Sequence, residues 1–124
     1  MKKYLDLNDI TAYRIAFNLS NYVWDIVIKW NYFAKDTLGK QLVKAVDSIS
    51  ANIAEGFGRY FKKDKINFYR YSYGSIDESF DWIEKANKRN LLKEIEYRYV
   101  IEELKKLPKE INHLINFTEE KLTI

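Results

Sequence analysis

Acid–base or metal chemistry in this chain would have to begin with its one histidine, His113, because the sequence contains no cysteine. A lone histidine on a helical bundle can accept a phosphoryl group, but the acceptor type carries a Lys and a small residue next, whereas Leu114 and Ile115 follow here. Glu110 and His113 have the Glu-x-x-His spacing of di-iron bundles, which need a second such pair that the sequence lacks. We therefore predict no metal, no cofactor and a partly buried, non-catalytic His113.

The second candidate for chemistry is the glycine pair Gly56 and Gly58 in the run EGFGRY. Two closely spaced glycines resemble the start of a phosphate-binding loop, but the third glycine is missing and no strand precedes the pair. The serines lie at helical packing spacing, without the G-x-S-x-G turn of a serine hydrolase. The sequence thus favours a protein that is not an enzyme, in which both glycines end a helix by adopting positive φ.

Positive charge gives the strongest functional signal. Residues 35–74 contain eight Lys or Arg and four Asp or Glu, although the whole chain has a net charge of only +3. Aromatic residues such as Tyr60, Phe61, Phe68 and Tyr71 are interleaved with these cations, and aromatic rings can stack on unpaired bases. We predict a nucleic-acid-binding segment, RNA before DNA, at one end of the second and third helices, formed by Lys40, Lys44, Arg59, Lys62, Lys63, Lys65 and Arg70.

The members of this basic set are not equivalent. Neutralising Lys62, Lys63 and Lys65 together is expected to weaken binding to every nucleic-acid sequence and to leave folding untouched. Arg59 is different, because Glu55 lies one helical turn before it and can pair with it. Arg59 is therefore also a candidate structural partner of the turn.

The elements that position these residues are helices, because the apolar residues recur with a period near 3.6 and only four Gly and one Pro interrupt the chain. The first helix has an apolar face wide enough for two neighbouring helices. Pro108 lies inside the last helix and predicts a kink or a short break near Leu104 to Leu107. The first helix is predicted to start after Asn8 or Asp9, and Asn31 to Asp36 form its connection to the second. The second helix is capped by Asp36 or Thr37 and ends at Gly56 to Gly58. The third helix runs from about Lys63 to Ala86, and the fourth from about Glu94 to Leu122.

Small and hydrogen-bonding residues run beside the core stripes of the second and third helices. We predict that Ser48 and Asn52 face Ser72, Ser75 and Ser79 across a close contact, because small side chains let two helix backbones approach. The polar groups of Asn52, Glu55, Arg59 and Glu78 would then pair with one another. The residues assigned to this structural motif are Ser48, Asn52, Glu55, Gly56, Gly74, Ser75 and Glu78.

Length and composition set the architecture. A chain of 124 residues is expected to form one domain over residues 1–124 and to bury a core without disulfides. Four helices with short connections predict an all-α fold, an antiparallel up-down four-helix bundle. No segment approaches the roughly 20 apolar residues of a membrane span, and the lack of cysteine fits a reducing compartment, so we expect a cytoplasmic protein that does not bind membranes.

A family resemblance rests on the run Asn52-Ile53-Ala54-Glu55-Gly56, on Arg59 and Phe68, and on Gly74-Ser75 with Glu78. This pattern resembles the signature of small bacterial four-helix-bundle proteins that include those encoded in intervening sequences of 23S rRNA. Relatives of that family include accessory proteins of diversity-generating retroelements. The resemblance implies a ring-shaped homopentamer, an association with RNA-linked elements and a protein partner such as a reverse transcriptase. The chain departs from the family in Phe33-Ala34-Lys35-Asp36, where a Pro and an acidic residue are common.

Two functional hypotheses follow. The first is an oligomeric, non-enzymatic accessory protein that binds nucleic acid through the basic segment. The second is an oligomeric scaffold that binds another protein through its aromatic surface and has no functional affinity for nucleic acid. The salt dependence of RNA binding would separate the two, because phosphate contacts release counterions.

Overall fold

The computed structural model describes residues 6–123, which form four helices and no strand. A short 3₁₀ turn, Leu7–Asp9, precedes α1, Thr11–Val27. Helix α2 is made of three consecutive segments: an α-helical turn Tyr32–Ala34, a π-helical turn Lys35–Gly39, and the α-helix Lys40–Gly58. Helix α3 spans Lys62–Lys88 and α4 spans Glu94–Lys121. The predicted all-α class is confirmed.

The first helix begins later than predicted. Asp6 donates its backbone N–H to the Asp9 carboxylate at 2.8 Å, and this contact closes the 3₁₀ turn. Neither Asn8 nor Asp9 is therefore the cap; Ile10 occupies that position with extended backbone and no side-chain hydrogen bond. Its side chain is buried in the core, which fixes where the chain enters α1.

The second helix begins earlier than predicted, so the connection is not Asn31 to Asp36. Asn31 is the cap, because its side-chain oxygen accepts the backbone N–H of Ala34 at 3.0 Å. The π-helical turn then ends at Gly39, where an added Cβ would lie 2.8 Å from Val27 Cγ1. The cap at Asn31 leaves only residues 28–31 as connection, and α1 and α2 approach each other closely at Gly39.

Helices α2 and α3 make the closest pair. The Ser72 hydroxyl donates to the Ile49 carbonyl at 3.1 Å, and both residues are buried. At Gly56 an added Cβ would lie 2.7 Å from Tyr69 Cε1. The two helices are thus in close contact at Ser72 and Gly56, but Ser72 bonds to Ile49 rather than facing the predicted Ser48 and Asn52. Gly74 does not contribute, because it is exposed with nothing within 4 Å of a Cβ built on it.

The core contains the predicted apolar rows almost entirely. The spacing of apolar residues places six positions on the inner edge of the last helix, and all six are buried: Val100, Leu104, Leu107, Ile111, Leu114 and Thr118. Helix α4 continues through Pro108 without the predicted short break. On α1, however, part of the wide apolar face is not buried: Phe17 and Trp24 are 45% and 52% exposed. No helix within residues 6–123 is long and apolar enough to cross a membrane.

Candidate nucleic-acid interface

The seven predicted cations do not form one cluster. Lys40 and Arg59 lie at opposite ends of an α-helical segment of 19 residues, a length of roughly 28 Å at 1.5 Å per residue. Lys62, Lys63 and Lys65 lie in the first turn of α3, next to the end of α2. The prediction that the positive charge gathers at one end of the second and third helices is therefore wrong for Lys40 and Lys44.

Lys40 and Lys44 lie beside a groove between α1 and α2. The groove has a volume of about 410 Å³ and an apolar floor that includes Trp24 and Val43. Lys40 forms an ion pair with Asp36 at 2.7 Å, and the hydrogen bond that its ammonium donates to this carboxylate raises the pKa of Lys40. Lys40 and Lys44 therefore line an apolar groove and are not part of the basic surface at the turn.

Arg59 is a structural partner of the turn, as the spacing from Glu55 indicates. Its guanidinium lies 3.2 Å from the Glu55 carboxylate and 4.6 Å from the centre of the Phe68 ring. Arg59 thus joins the end of α2 to the first turns of α3. Of the predicted network of Asn52, Glu55, Arg59 and Glu78, the Glu55–Arg59 pair forms, whereas Glu78 is exposed on α3 and Asn52 is half-buried.

Lys62 and Lys65 bind the ends of helices. Lys62 Nζ donates to the carbonyls of Glu119 and Leu122 at 3.2 and 3.1 Å, at the end of α4. Lys65 Nζ donates to the Phe57 carbonyl at 2.7 Å, at the end of α2, and burial lowers the pKa of Lys65. The last carbonyls of a helix have no partner within it, so these ammonium groups stabilise the two helix ends. These contacts oppose the expectation that neutralising Lys62 and Lys65 leaves folding untouched, and they predict a loss of stability instead.

Lys63 and Arg70 are the predicted cations of this region that remain available. Both are exposed on α3, and within residues 6–123 neither side chain has an ion-pair or hydrogen-bond partner. Tyr60, Phe61 and Tyr71 accompany them, with side chains 71%, 55% and 57% exposed. We call these five residues, Tyr60, Phe61, Lys63, Arg70 and Tyr71, the turn surface.

The glycines of the motif have roles other than those predicted. No described glycine has positive φ, and α2 continues through Gly58 before Arg59 extends the chain. Gly56 is required because α3 leaves no room for a Cβ there, whereas Gly58 has open space around it. Ser48 is half-buried and bonds to the Lys44 carbonyl of its own helix at 2.7 Å, and Ser75 is also half-buried. The motif is thus a packing element at Gly56.

His113 is exposed, with 59% of its side chain accessible, so the prediction of a partly buried histidine is wrong. Its Nδ1 lies 3.7 Å from the Glu110 carboxylate on the same helix. Within residues 6–123 no group of three or more His, Cys, Asp or Glu side chains is arranged to hold a metal ion.

A second group of cations, outside the seven predicted for binding, lies at the other end of the molecule. There the α1–α2 and α3–α4 connections meet, because Trp30 Nε1 donates to the Leu91 carbonyl at 3.0 Å. We call the following residues the connection surface: Lys29, Tyr32, Phe33, Lys88, Arg89 and Lys93. Lys88, Arg89 and Lys93 fall in one short window of the sequence, and the fold brings Lys29, Tyr32 and Phe33 to them from more than 50 residues away.

The fold and these surfaces define a small all-α protein whose exposed cations flank exposed aromatic rings. The chain matches the model of the 23S rRNA-intervening sequence protein family over residues 8–113, and it belongs to that family. The structure is also similar to the crystal structure of a protein of unknown function from the S23 ribosomal protein family of Bacteroides thetaiotaomicron. That likeness has a TM-score of 0.74 at 16% identity and covers 85% of this chain and 98% of the other. No curated protein matches the sequence.

Proposed function

We propose that this chain is a non-enzymatic, oligomeric protein that binds nucleic acid, RNA in preference to DNA. The observation that carries the proposal is the turn surface, where Lys63 and Arg70 are unpaired beside the exposed rings of Tyr60 and Tyr71. Phosphate contacts from Lys and Arg supply sequence-independent affinity, and the rings add stacking. Membership of a family named for intervening sequences of 23S rRNA supports RNA as the class of ligand.

Self-association is part of the proposal. The α1–α2 side of the molecule exposes Trp24 and Ile28 in the lining of the 410 Å³ groove, and Phe17 is also exposed on α1. Large exposed apolar patches mark interaction sites. We infer an antiparallel up-down bundle that assembles through this side into a ring-shaped homopentamer; the number five comes from the family resemblance. Light scattering at micromolar concentration should give a mass well above that of one chain, and a monomer would contradict the assembly.

The binding experiment is a salt titration with a single-stranded and a structured RNA. The logarithm of the association constant should fall linearly with the logarithm of the salt concentration, because each neutralised phosphate releases counterions. Absence of binding at low salt would contradict the proposal.

The lack of cysteine supports action in the cytoplasm.

A second candidate function, a protein-binding scaffold, is favoured by the same apolar groove. Its floor of Trp24, Val27, Ile28 and Val43 suits a hydrophobic side chain of a partner. By the family resemblance that partner would be a protein such as the reverse transcriptase of a retroelement. Loss of partner binding in Trp24→Ala with RNA binding retained would separate the scaffold from the first candidate.

A further inference from the structure

The connection surface is held in place by contacts between its two segments, 28–40 and 86–96. The Trp30 indole bonds to the Leu91 carbonyl at 3.0 Å. Phe33, Arg89 and Leu91 line one shallow groove between the segments, and Lys29, Trp30 and Lys93 line a second. Cations from both segments therefore flank the second groove, and Arg89 flanks the first.

The charge of this surface is unbalanced. The two segments contain six Lys or Arg and three Asp or Glu. Lys40 is paired with Asp36, and Lys35 donates to the Ile28 carbonyl at 3.3 Å. The other four cations are exposed, and within residues 6–123 their side chains form no ion pair or hydrogen bond: Lys29, Lys88, Arg89 and Lys93. The turn surface has two such cations.

The aromatic residues of the connection surface are the most exposed large apolar residues in the described chain. Tyr32 and Phe33 are 77% and 76% exposed, on the first turn of α2 after the Asn31 cap. Phe33 lines the same groove as Arg89. An exposed ring beside an unpaired guanidinium can stack a base while the guanidinium contacts its phosphate.

We propose that the connection surface binds a single-stranded segment of nucleic acid, with Lys29, Arg89 and their neighbours on the phosphates and Tyr32 and Phe33 on unpaired bases. This inference rests on the proposed nucleic-acid binding and assigns it a second, more cationic surface. A duplex is a poorer ligand, because its bases are not available for stacking. A protein is also a poorer ligand, because lysine is depleted in protein interfaces, whereas a phosphate backbone complements four unpaired cations.

The test compares three pairs of exposed cations that have no ion-pair or hydrogen-bond partner among the described residues. The variants are Lys29→Gln with Arg89→Gln, Lys63→Gln with Arg70→Gln at the turn, and Lys105→Gln with Lys109→Gln on α4 as a charge-matched control. The probe is a labelled oligouridine of about 12 nucleotides, within the range that small single-strand sites occupy. Binding is measured by fluorescence anisotropy at several salt concentrations, and circular dichroism confirms that each variant folds.

We expect the Lys29/Arg89 variant to lose affinity at least tenfold and to flatten the salt dependence by about one to two contacts, while the α4 control changes little. Equal loss in all three variants would overturn the inference in favour of diffuse electrostatics. Loss confined to the Lys63/Arg70 variant would overturn it and leave the proposed function standing. Failure of the unaltered protein to bind oligouridine and structured RNA alike would overturn the proposed function itself.

Stacking is tested separately with Tyr32→Ala and Phe33→Ala combined. The variant should lose roughly fivefold or more in affinity for the oligouridine and little for an RNA duplex of equal length. Tyr60→Ala with Phe61→Ala is the matched control at the turn. Unchanged oligouridine affinity in the Tyr32/Phe33 variant, or an equal loss on duplex, would overturn the role assigned to the two rings.

Discussion

The turn surface and the connection surface both combine cations with aromatic rings. They differ in whether nearby lysines cap a helix end, because α2 and α3 end with different backbone hydrogen bonding. Helix α3 ends at the connection surface with Asn90 at φ 59° and the Leu91 N–H bonded to the Ala86 carbonyl at 3.0 Å, so backbone amides satisfy the final turn. Helix α2 ends without such a turn, and the Lys65 ammonium satisfies the Phe57 carbonyl instead. At the end of α2 a lysine ammonium therefore serves as a cap, whereas at the end of α3 the backbone completes the cap and the nearby Lys88 and Arg89 stay unpaired among the described residues.

The largest expected effect is the pH dependence of the free energy of unfolding that comes from Tyr69, a buried residue near the turn. Burial raises the pKa of Tyr69 to about 12 from its ordinary value of 10.0. Between these values the folded state binds one proton more than the unfolded state, so the free energy of unfolding falls as the pH rises, by roughly 2 to 3 kcal/mol in total. Denaturant unfolding of Tyr69→Phe should lack this loss between pH 10 and 12. The exposed control Tyr71→Phe should behave like the unaltered protein, and a Tyr69→Phe curve parallel to it would contradict the assignment.

Packing at the turn gives the next effect. Gly56→Ala should lower the free energy of unfolding by about 1 to 3 kcal/mol, because the new Cβ meets Tyr69 Cε1 at 2.7 Å and the Lys65 carbonyl at 2.9 Å. Gly74→Ala is the control, since nothing lies within 4 Å there, and it should stabilise the exposed helix by up to about 1 kcal/mol. Chemical denaturation measures both, and equal changes would show that α2 and α3 are not in close contact at Gly56.

The next prediction concerns the lysines that cap helix ends at the turn. Lys62→Gln with Lys65→Gln should lower the free energy of unfolding by about 1 to 2 kcal/mol, because helix-end carbonyls lose charged donors, at a half-buried site for Lys65 and an exposed one for Lys62. Lys29→Gln with Arg89→Gln removes the same charge from the connection surface and should stay within about 0.5 kcal/mol. Thermal or urea unfolding measures the stability of both variants. Equal stabilities would mean that the cations at the two ends contribute equally to folding.

The smallest effect concerns the contact that joins the two connections. Trp30→Phe should cost about 1 kcal/mol, because the half-buried Leu91 carbonyl loses its indole donor. Hydrogen exchange should increase locally, at residues 28–31 and 89–93, rather than at the turn. A uniform increase across the molecule would show that Trp30 belongs to the common core instead.

The sequence predicted the core well and the surfaces poorly. The period of the apolar residues on α4 identified six of its seven buried positions, all but Ile115, because burial of an amphipathic helix leaves a direct periodic signal. The start of α2 was misplaced, since Asp36 and Thr37 look like caps while Asn31 is the residue that accepts the Ala34 N–H. The charge count over residues 35–74 grouped Lys40 with Lys63, although a helix of 19 residues separates their positions.

The sequence by itself determined the helical class, the number of helices, the core rows and the family, because all four depend on residue type and spacing along the chain. Only the tertiary structure decided which cations are free. Lys62 and Lys65 are taken up by the carbonyl ends of neighbouring helices, and Lys29 and Arg89 are brought to one end of the molecule by the contact of Trp30 with Leu91. Local periodicity records burial, whereas the pairing of a charge depends on atoms from distant segments that become neighbours only when the helices pack.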